Sequence, residues 1–289
     1  MIDLHMHSKY SDDGEFSPLA LVELCAAQGI TLMSVTDHNC VCAQAEAAPE
    51  AKRRGITYIP GIEIDCTFQN TNFHMLGYRI DAVSPDFKEI EENIRRQGQS
   101  ASLEMLKKTQ ALGFSVTEEE MRRMSQDSYW PEAWTGELFA EVLLSKPEYV
   151  DHPLLLPYRP GNVRGDNPYV NFYWDFYSQG KPCHTSVTYP SMQEVLDIIH
   201  QNQGIAVLAH PYVNLKGNLQ LLEEILKLDI DGLEAYSSYH TPAQRAQMAS
   251  LAREKQLLVT CGSDFHGKTK PSISLGMHGA PARYKFFGI

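Results

Sequence analysis

Short apolar runs alternate with helix-length patterns at both ends of this 289-residue chain, and that rhythm restricts its fold more than any other feature. Ile2 and Leu4 open a strand. Ser17-Pro18 supplies an N-cap and a proline at the first helical position, and Leu19, Leu21, Val22, Leu24 and Cys25 carry the apolar face up to Gly29. Residues 32–36 read as a second strand and 42–54 as a helix that stops at Gly55. Residues 57–59 begin the next strand, with Glu63 and Asp65 just after it, and 73–77 make a further short one. The last third repeats the pattern. Ser191-Met192-Gln193-Glu194 fits a capping box, 205–209, 232–235 and 258–261 read as strands, and helices are expected over 219–227 and from Thr241-Pro242 onward. Strands alternating with helices of about ten to fifteen residues specify βα units and a parallel sheet. Six or seven such strands suit an α/β fold of the incomplete or distorted (βα) barrel kind better than a small open sheet.

The middle of the chain breaks the rhythm. Residues 87–111, 118–124 and 135–144 are helical in pattern, and a segment rich in Pro, Tyr and Asn follows them without a convincing βα unit. The expected organisation is a barrel domain built from 1–84 and 182–289, interrupted by a mainly helical insertion, 85–181, that caps the barrel mouth.

Composition narrows the range of partners. The chain carries 36 acidic and 25 basic side chains, a formal charge of −11, which disfavours long nucleic acid and anionic membranes because both are bound through broad basic patches. No apolar run approaches the roughly 20 residues of a membrane helix, and the N-terminus lacks the pattern of a signal peptide. Six cysteines without a CxxC pair read as reduced thiols in a cytoplasmic protein. Cys40 and Cys42 read as packing. The oligomeric state is not legible.

Eleven histidines are the more informative count, because several stand beside carboxylates at predicted strand ends. His5 and His7 are two apart in an extended segment and so face one side. Asp12 and Asp13 follow in a loop. Asp37-His38 closes the second strand, Glu63 comes after the third, His74 lies in the next, His210 ends a downstream strand, and Asp264 and His266 end the last. In a βα barrel such ends converge on one face. Nine candidates (His5, His7, Asp12, His38, Glu63, His74, His210, Asp264 and His266) exceed what one ion can use. Two or three divalent metals would use them, with a carboxylate such as Glu63 bridging.

His5-Met6-His7-Ser8, Ser11-Asp12-Asp13-Gly14, Thr36-Asp37-His38, Gly61-Ile62-Glu63, Ala209-His210-Pro211 and Gly262-Ser263-Asp264-Phe265-His266 resemble the motifs of the PHP (polymerase and histidinol phosphatase) superfamily, over about 1–80 and 185–270. The resemblance implies a distorted seven-stranded (βα)7 barrel, a trinuclear centre of manganese, iron or zinc, phosphate-ester hydrolysis, and the same nine residues as ligands. Asp12 stands where histidinol-phosphate phosphatases of the family tend to carry histidine. With the long insertion, it points to the branch acting on phosphorylated nucleotides and sugars.

The expected chemistry is attack on phosphorus by a metal-bridging hydroxide, on a small phosphorylated monoester or cyclic phosphodiester, with Glu63 and Asp264 at the reacting centre. His240 is a candidate leaving-group acid or substrate contact, against simple packing. Lys268 and Lys270 are candidate phosphate ligands, against a solvated loop. Lys181, Arg95 and Arg96 could reach in from the insertion, against a charged helix face. His152, His184, His200 and His278 are not expected to be ligands. The alternatives are a histidinol-phosphate phosphatase and a metal-free binding module.

Overall fold

The computed structural model describes residues 1–281, so the last part of the barrel segment expected to reach residue 289 lies outside the described residues. Its strands form two sheets. β1 (Ile2–Asp3), β2 (Leu32–Met33) and β3 (Thr57–Tyr58) make a parallel sheet in that order, linked by α1 (Pro18–Ala27) and α2 (Gln44–Arg53). β4 (Gly61–Phe68), β5 (Thr71–Tyr78), β6 (Ile205–Leu208), β7 (Gly232–Ser237) and β8 (Leu258–Gly262) make the other, also in chain order. Between β5 and β6 run α3 (Pro85–Ala111), α4 (Glu118–Ser125), α5 (Gly136–Ser145), α6 (Pro168–Phe176) and α7 (Met192–Gln201). The short helices α8 (Pro211–Leu215) and α9 (Leu219–Ile225) precede β7, and α10 (Pro242–Glu254) precedes β8.

The helix starts follow from the sequence. Ser17 Oγ accepts from the Ala20 amide, and Ser191 with Glu194 and Thr241 with Gln244 close reciprocal capping boxes. The wholly parallel sheet is corrected. β5 runs antiparallel to both β4 and β6, and only β6, β7 and β8 are mutually parallel in that sheet. The cause is the two-residue turn Gln69-Asn70, whose φ values of +46° and +59° suit a tight hairpin. Glu63 consequently lies inside a strand rather than after one. The two sheets meet through single parallel bridges, His38 with Glu63 and Met6 with Phe265, so the ladders among the described residues do not close a barrel.

The interior of the described residues holds four apolar clusters, of which the two largest meet along the middle segment. Ile62, Ile64, Phe73 and Met75 of the hairpin pack with Met192, Leu196 and Ile199 of α7 and with Leu233 of β7. A separate cluster inside the middle segment joins Leu106, Met121, Trp134, Phe139, Phe172 and Tyr177. α3 serves both: Phe87 and Ile90 belong to the first cluster and Leu106 to the second. No helix among the described residues is long and apolar enough to cross a membrane.

Candidate metal centre

The backbone aims the histidines before any side chain does. Met6 is fully buried with its sulfur 3.7 Å from Cys25 Sγ, and alternation along the segment turns His5 and His7 to the opposite side. Glu63 and Asp65 share one face of β4, and the hairpin register sets Asp65 across from His74. His210 and Asp264, at the ends of β6 and β8, have φ values of +24° and +58°, and Asn39 next to His38 has +54°. Such conformations cost non-glycine residues on the order of 1–3 kcal/mol each and persist only where the surroundings enforce them. Here backbone contacts enforce two of them: the Asp264 amide donates to His5 O (2.8 Å) and the His210 amide to Glu234 Oε2 (2.8 Å).

These side chains converge on the space enclosed by the strands. His5 Nδ1 donates to Glu234 Oε1 at 2.9 Å, which directs its Nε2 lone pair inward. Around that Nε2 lie Glu63 Oε2 at 3.0 Å, His7 Nε2 at 3.1 Å and Asp264 Oδ1 at 3.2 Å. The other Glu63 oxygen meets His74 Nδ1 at 2.9 Å and His210 Nε2 at 3.1 Å. A third group gathers His7, His38 and His266 with Asp13, whose Oδ2 is 3.1 Å from His266 Nε2, and a fourth joins His38, His74 and Asp65. The groups overlap: Glu63, His7, His38 and His74 each belong to two of them.

The donor set fits divalent ions. Asp13 Oδ1, His38 Nδ1, Asp264 Oδ1 and His266 Nε2 are buried and make no hydrogen bond, although His7 Nε2 stands 3.0 Å from Asp264 Oδ1. Facing lone pairs without protons between them repel. Metal bonds of about 2.0–2.2 Å would put neighbouring ligand atoms about 3 Å apart and satisfy them together. Without an ion the site draws in protons instead. Burial disfavours charge on His7, yet the Asp264 and Glu63 carboxylates beside it outweigh that and raise the imidazole to about 9. Burial likewise opposes charge on His74, but the Glu63 and Asp65 carboxylates raise it to about 9. Against the same burial, the neighbouring histidines hold the Glu63 carboxyl well below its usual range.

Several expectations shift. Asp13, not Asp12, stands with the histidines; Asp12 lines the adjoining cavity without joining any group. The Asp13 backbone oxygen is fixed by the Thr269 hydroxyl (2.6 Å), and a loop acid has no periodicity from which its direction could be read. His240 is not at the reacting centre: buried, it donates from Nδ1 to Ala235 O (2.9 Å) and accepts at Nε2 from the Tyr212 amide (3.4 Å). Its neighbour Tyr239 instead hydrogen-bonds the Asp264 carboxylate. Lys268 is half-exposed and paired with Glu141 of α5 at 2.7 Å, and Lys181 is exposed outside the cavity lining. Lys270 does reach the site, with Nζ 2.7 Å from Asp264 Oδ2. Arg95 binds Glu91 and lies over Tyr129 and Trp130, and Arg96 bonds the Glu92 carbonyl, so neither lines the cavity.

His152, His200 and His278 belong to none of the donor groups, and neither does His184, although it lines the cavity from the insertion side. Sequence reasoning missed Asp65, Ser11 and Glu234. Ser11 Oγ lies 2.9 Å from His7 Nδ1 and accepts from the His38 amide (2.8 Å). Glu234 carried a readable signal, an acid between apolar residues in a strand, since a fully buried carboxylate requires partners.

A cavity of about 230 Å³ opens beside these groups, with His38, His74, Asp13 and Lys270 on one side and Trp134, Glu137, Tyr173 and Tyr189 from the middle segment and the chain following it on the other. The sequence profile described as "PHP domain" matches residues 3–203. The 5'-3' exoribonuclease Rnm of Escherichia coli is 29% identical over 282 residues, 95% of this chain and 87% of that protein. The 3',5'-nucleoside bisphosphate phosphatase of Chromobacterium violaceum is 28% identical over 280 residues, 95% of this chain and 90% of that protein. A solved structure of an amidohydrolase from Chromobacterium violaceum, with bound sulfate and no metal, superposes with a TM-score of 0.77 at 26% identity, covering 94% of this chain and 90% of that one.

Proposed function

This chain belongs to the PHP domain family, and on that premise we propose that it is a metal-dependent phosphoesterase acting on a small phosphorylated metabolite, a nucleotide or phosphorylated sugar with a monoester or cyclic phosphodiester. The observation that carries the reading is the set of buried nitrogen and carboxylate atoms that face one another without hydrogen bonds. Two or three divalent ions, manganese, iron or zinc, would be held by His5, His7, Asp13, His38, Glu63, Asp65, His74, His210, Asp264 and His266, with Glu63 shared. Bound there, such ions supply a water of lowered pKa as nucleophile at neutral pH and offset charge on the phosphoryl group.

The remaining roles fall to the chain itself. Lys270 offers a buried ammonium, held against burial by Asp264 well above its usual range, for a phosphoryl oxygen. Glu137, set in the cavity wall beside the charge of Asp13, has its carboxyl pushed up, chiefly by burial, to about 8 before metal is bound, and it is the group placed to give a proton to the leaving oxygen. Residues 85–181 act as a cap that walls the substrate in, a reading supported by their own apolar cluster and by Trp134 and Tyr173 in the lining.

The relatives frame the substrate question, since one is named for RNA and the other for a nucleoside bisphosphate. The small cavity and the charge of −11 favour the small substrate. A second reading, removal of nucleotides from an RNA 5' end, has the Escherichia coli relative in its favour. The test is phosphate release with manganese from a panel holding a nucleoside bisphosphate, a sugar phosphate, a cyclic phosphodiester, histidinol phosphate and a short 5'-phosphorylated RNA. Turnover of the small esters well above that of RNA supports the proposal. RNA as the best substrate would replace it with the second reading, and no turnover of any would sink both.

A further inference from the structure

Cys40 and Cys42 gain partners in the structure that their sequence positions did not suggest. They stand at i and i+2 in the loop leaving His38, and the Cys42 amide donates to Cys40 Sγ at 3.4 Å, folding both sulfurs to one side. Cys42 Sγ lies 4.0 Å from Glu91 Oε2 of α3 and 3.2 Å from the Tyr129 hydroxyl. The ligand atoms of Cys40, Cys42 and Glu91 all fall within 4.8 Å of one another, and none of these residues belongs to the histidine–carboxylate groups.

The geometry points to a second metal site here, in which the thiolates of Cys40 and Cys42 and the Glu91 carboxylate bind one thiophilic divalent ion of the zinc or cadmium type. Zinc–sulfur and zinc–oxygen bonds of about 2.3 and 2.1 Å place tetrahedral ligand atoms roughly 3.5–3.8 Å apart, so a contraction of about 1 Å at most completes the site.

The surrounding groups favour such an ion. Tyr129 (2.7 Å) and Arg95 (2.9 Å) both donate to Glu91 Oε1, which orients the carboxylate and leaves Oε2 toward Cys42. Two thiolates and Glu91, set against Arg95, leave two negative charges for a divalent ion to neutralise. The hydrogen bond between the two sulfurs lowers the Cys42 thiol to about 7 and pushes the Cys40 thiol up, so Cys42 ionises first and Cys40 gives up its proton only as the ion binds. Sulfur ligands select soft ions, whereas the main centre offers only nitrogen and oxygen. Glu91 is buried and Cys42 half-buried, so an ion can arrive from the Cys42 side. Once there it would tie the loop carrying His38 to α3 and to the segment bearing Tyr129.

The test uses the full chain, loaded with manganese and then titrated with cadmium while the ultraviolet thiolate-to-cadmium charge-transfer band is followed. A band saturating at one equivalent is expected. It should be lost in Cys42→Ser and need at least tenfold more cadmium in Glu91→Gln, with circular dichroism and manganese content unchanged. No band, or a band undiminished in Cys42→Ser, would overturn the inference. A second measurement needs no variant: zinc should slow alkylation of Cys42, read by mass spectrometry, at least tenfold. An unchanged alkylation rate would equally count against the site.

Discussion

Asp12 and Asp13 are chemically identical neighbours, and only the fold separates their work. Asp13 faces His266 at 3.1 Å, whereas Asp12 faces the cavity. Asp13→Asn should therefore remove metal from the purified protein, by elemental analysis, while Asp12→Asn retains it; the reverse pattern would reassign the loop. The same distinction shows how far single residues were legible. His5 and His7 could be placed because two residues apart on an extended segment means one face, and Lys270 could not be told from Lys268 because the turn that buries one and exposes the other has no period. Glu137 makes a separate prediction. Burial raises its carboxyl above the ordinary value, to about 8 before metal is bound, so it keeps its proton into a range where an ordinary carboxyl has lost it and gives it up as pH rises further. Turnover of substrates with poor leaving groups should fall on that alkaline limb. Glu137→Gln should abolish the limb and slow alkyl phosphates by about 10²-fold or more, the usual scale of general-acid help, while p-nitrophenyl phosphate, whose leaving group needs no proton, is little affected. Equal loss on both substrates would make Glu137 a wall residue only.

At the level of elements, the capped helices were readable and the hairpin was not. Ser191 and Thr241 announce their helices through side chains that satisfy amides of the first turn. β5 was read in part, over 73–77, but β4 was not read as a strand, because Gln69-Asn70 lacks the glycine that usually marks a two-residue hairpin turn. Seeing β4 as continuous would also have revealed Asp65, since it repeats Glu63 two residues on. Two substitutions separate what these elements do. Ser191→Ala should cost about 1 kcal/mol, lower the melting temperature by a few degrees and leave activity intact. Gly262→Ala should behave differently: a Cβ at the end of β8 would overlap the backbone-proximal Cβ of His5 and approach Glu234 Oε1. It should strip metal and activity together, out of proportion to any loss of melting temperature. Retained metal in that variant would mean that the approach of β8 to β1 does not set His5.

Over the whole molecule, two strand sheets joined at single bridges hold the donors, and residues of the middle segment line the cavity beside them. The Trp130 indole donates to Tyr10 O at 2.7 Å and Lys268 reaches Glu141 at 2.7 Å, so the middle segment is pinned both to the loop that carries Asp12 and Asp13 and to the loop after β8. A surface of charge −11 can still receive an anion there, because two or three divalent ions bring about four to six positive charges to one cavity. Every role proposed for the cavity residues thus depends on bound metal. The most direct measurement follows phosphate release from the best ester of the panel before chelation, after complete removal of metal, and after manganese is returned, with the metal content read at each step. Two to three ions per chain are expected at the start, with activity lost on chelation and recovered with manganese, and neither binding nor recovery in His210→Ala. Full activity from protein stripped of metal would contradict that dependence.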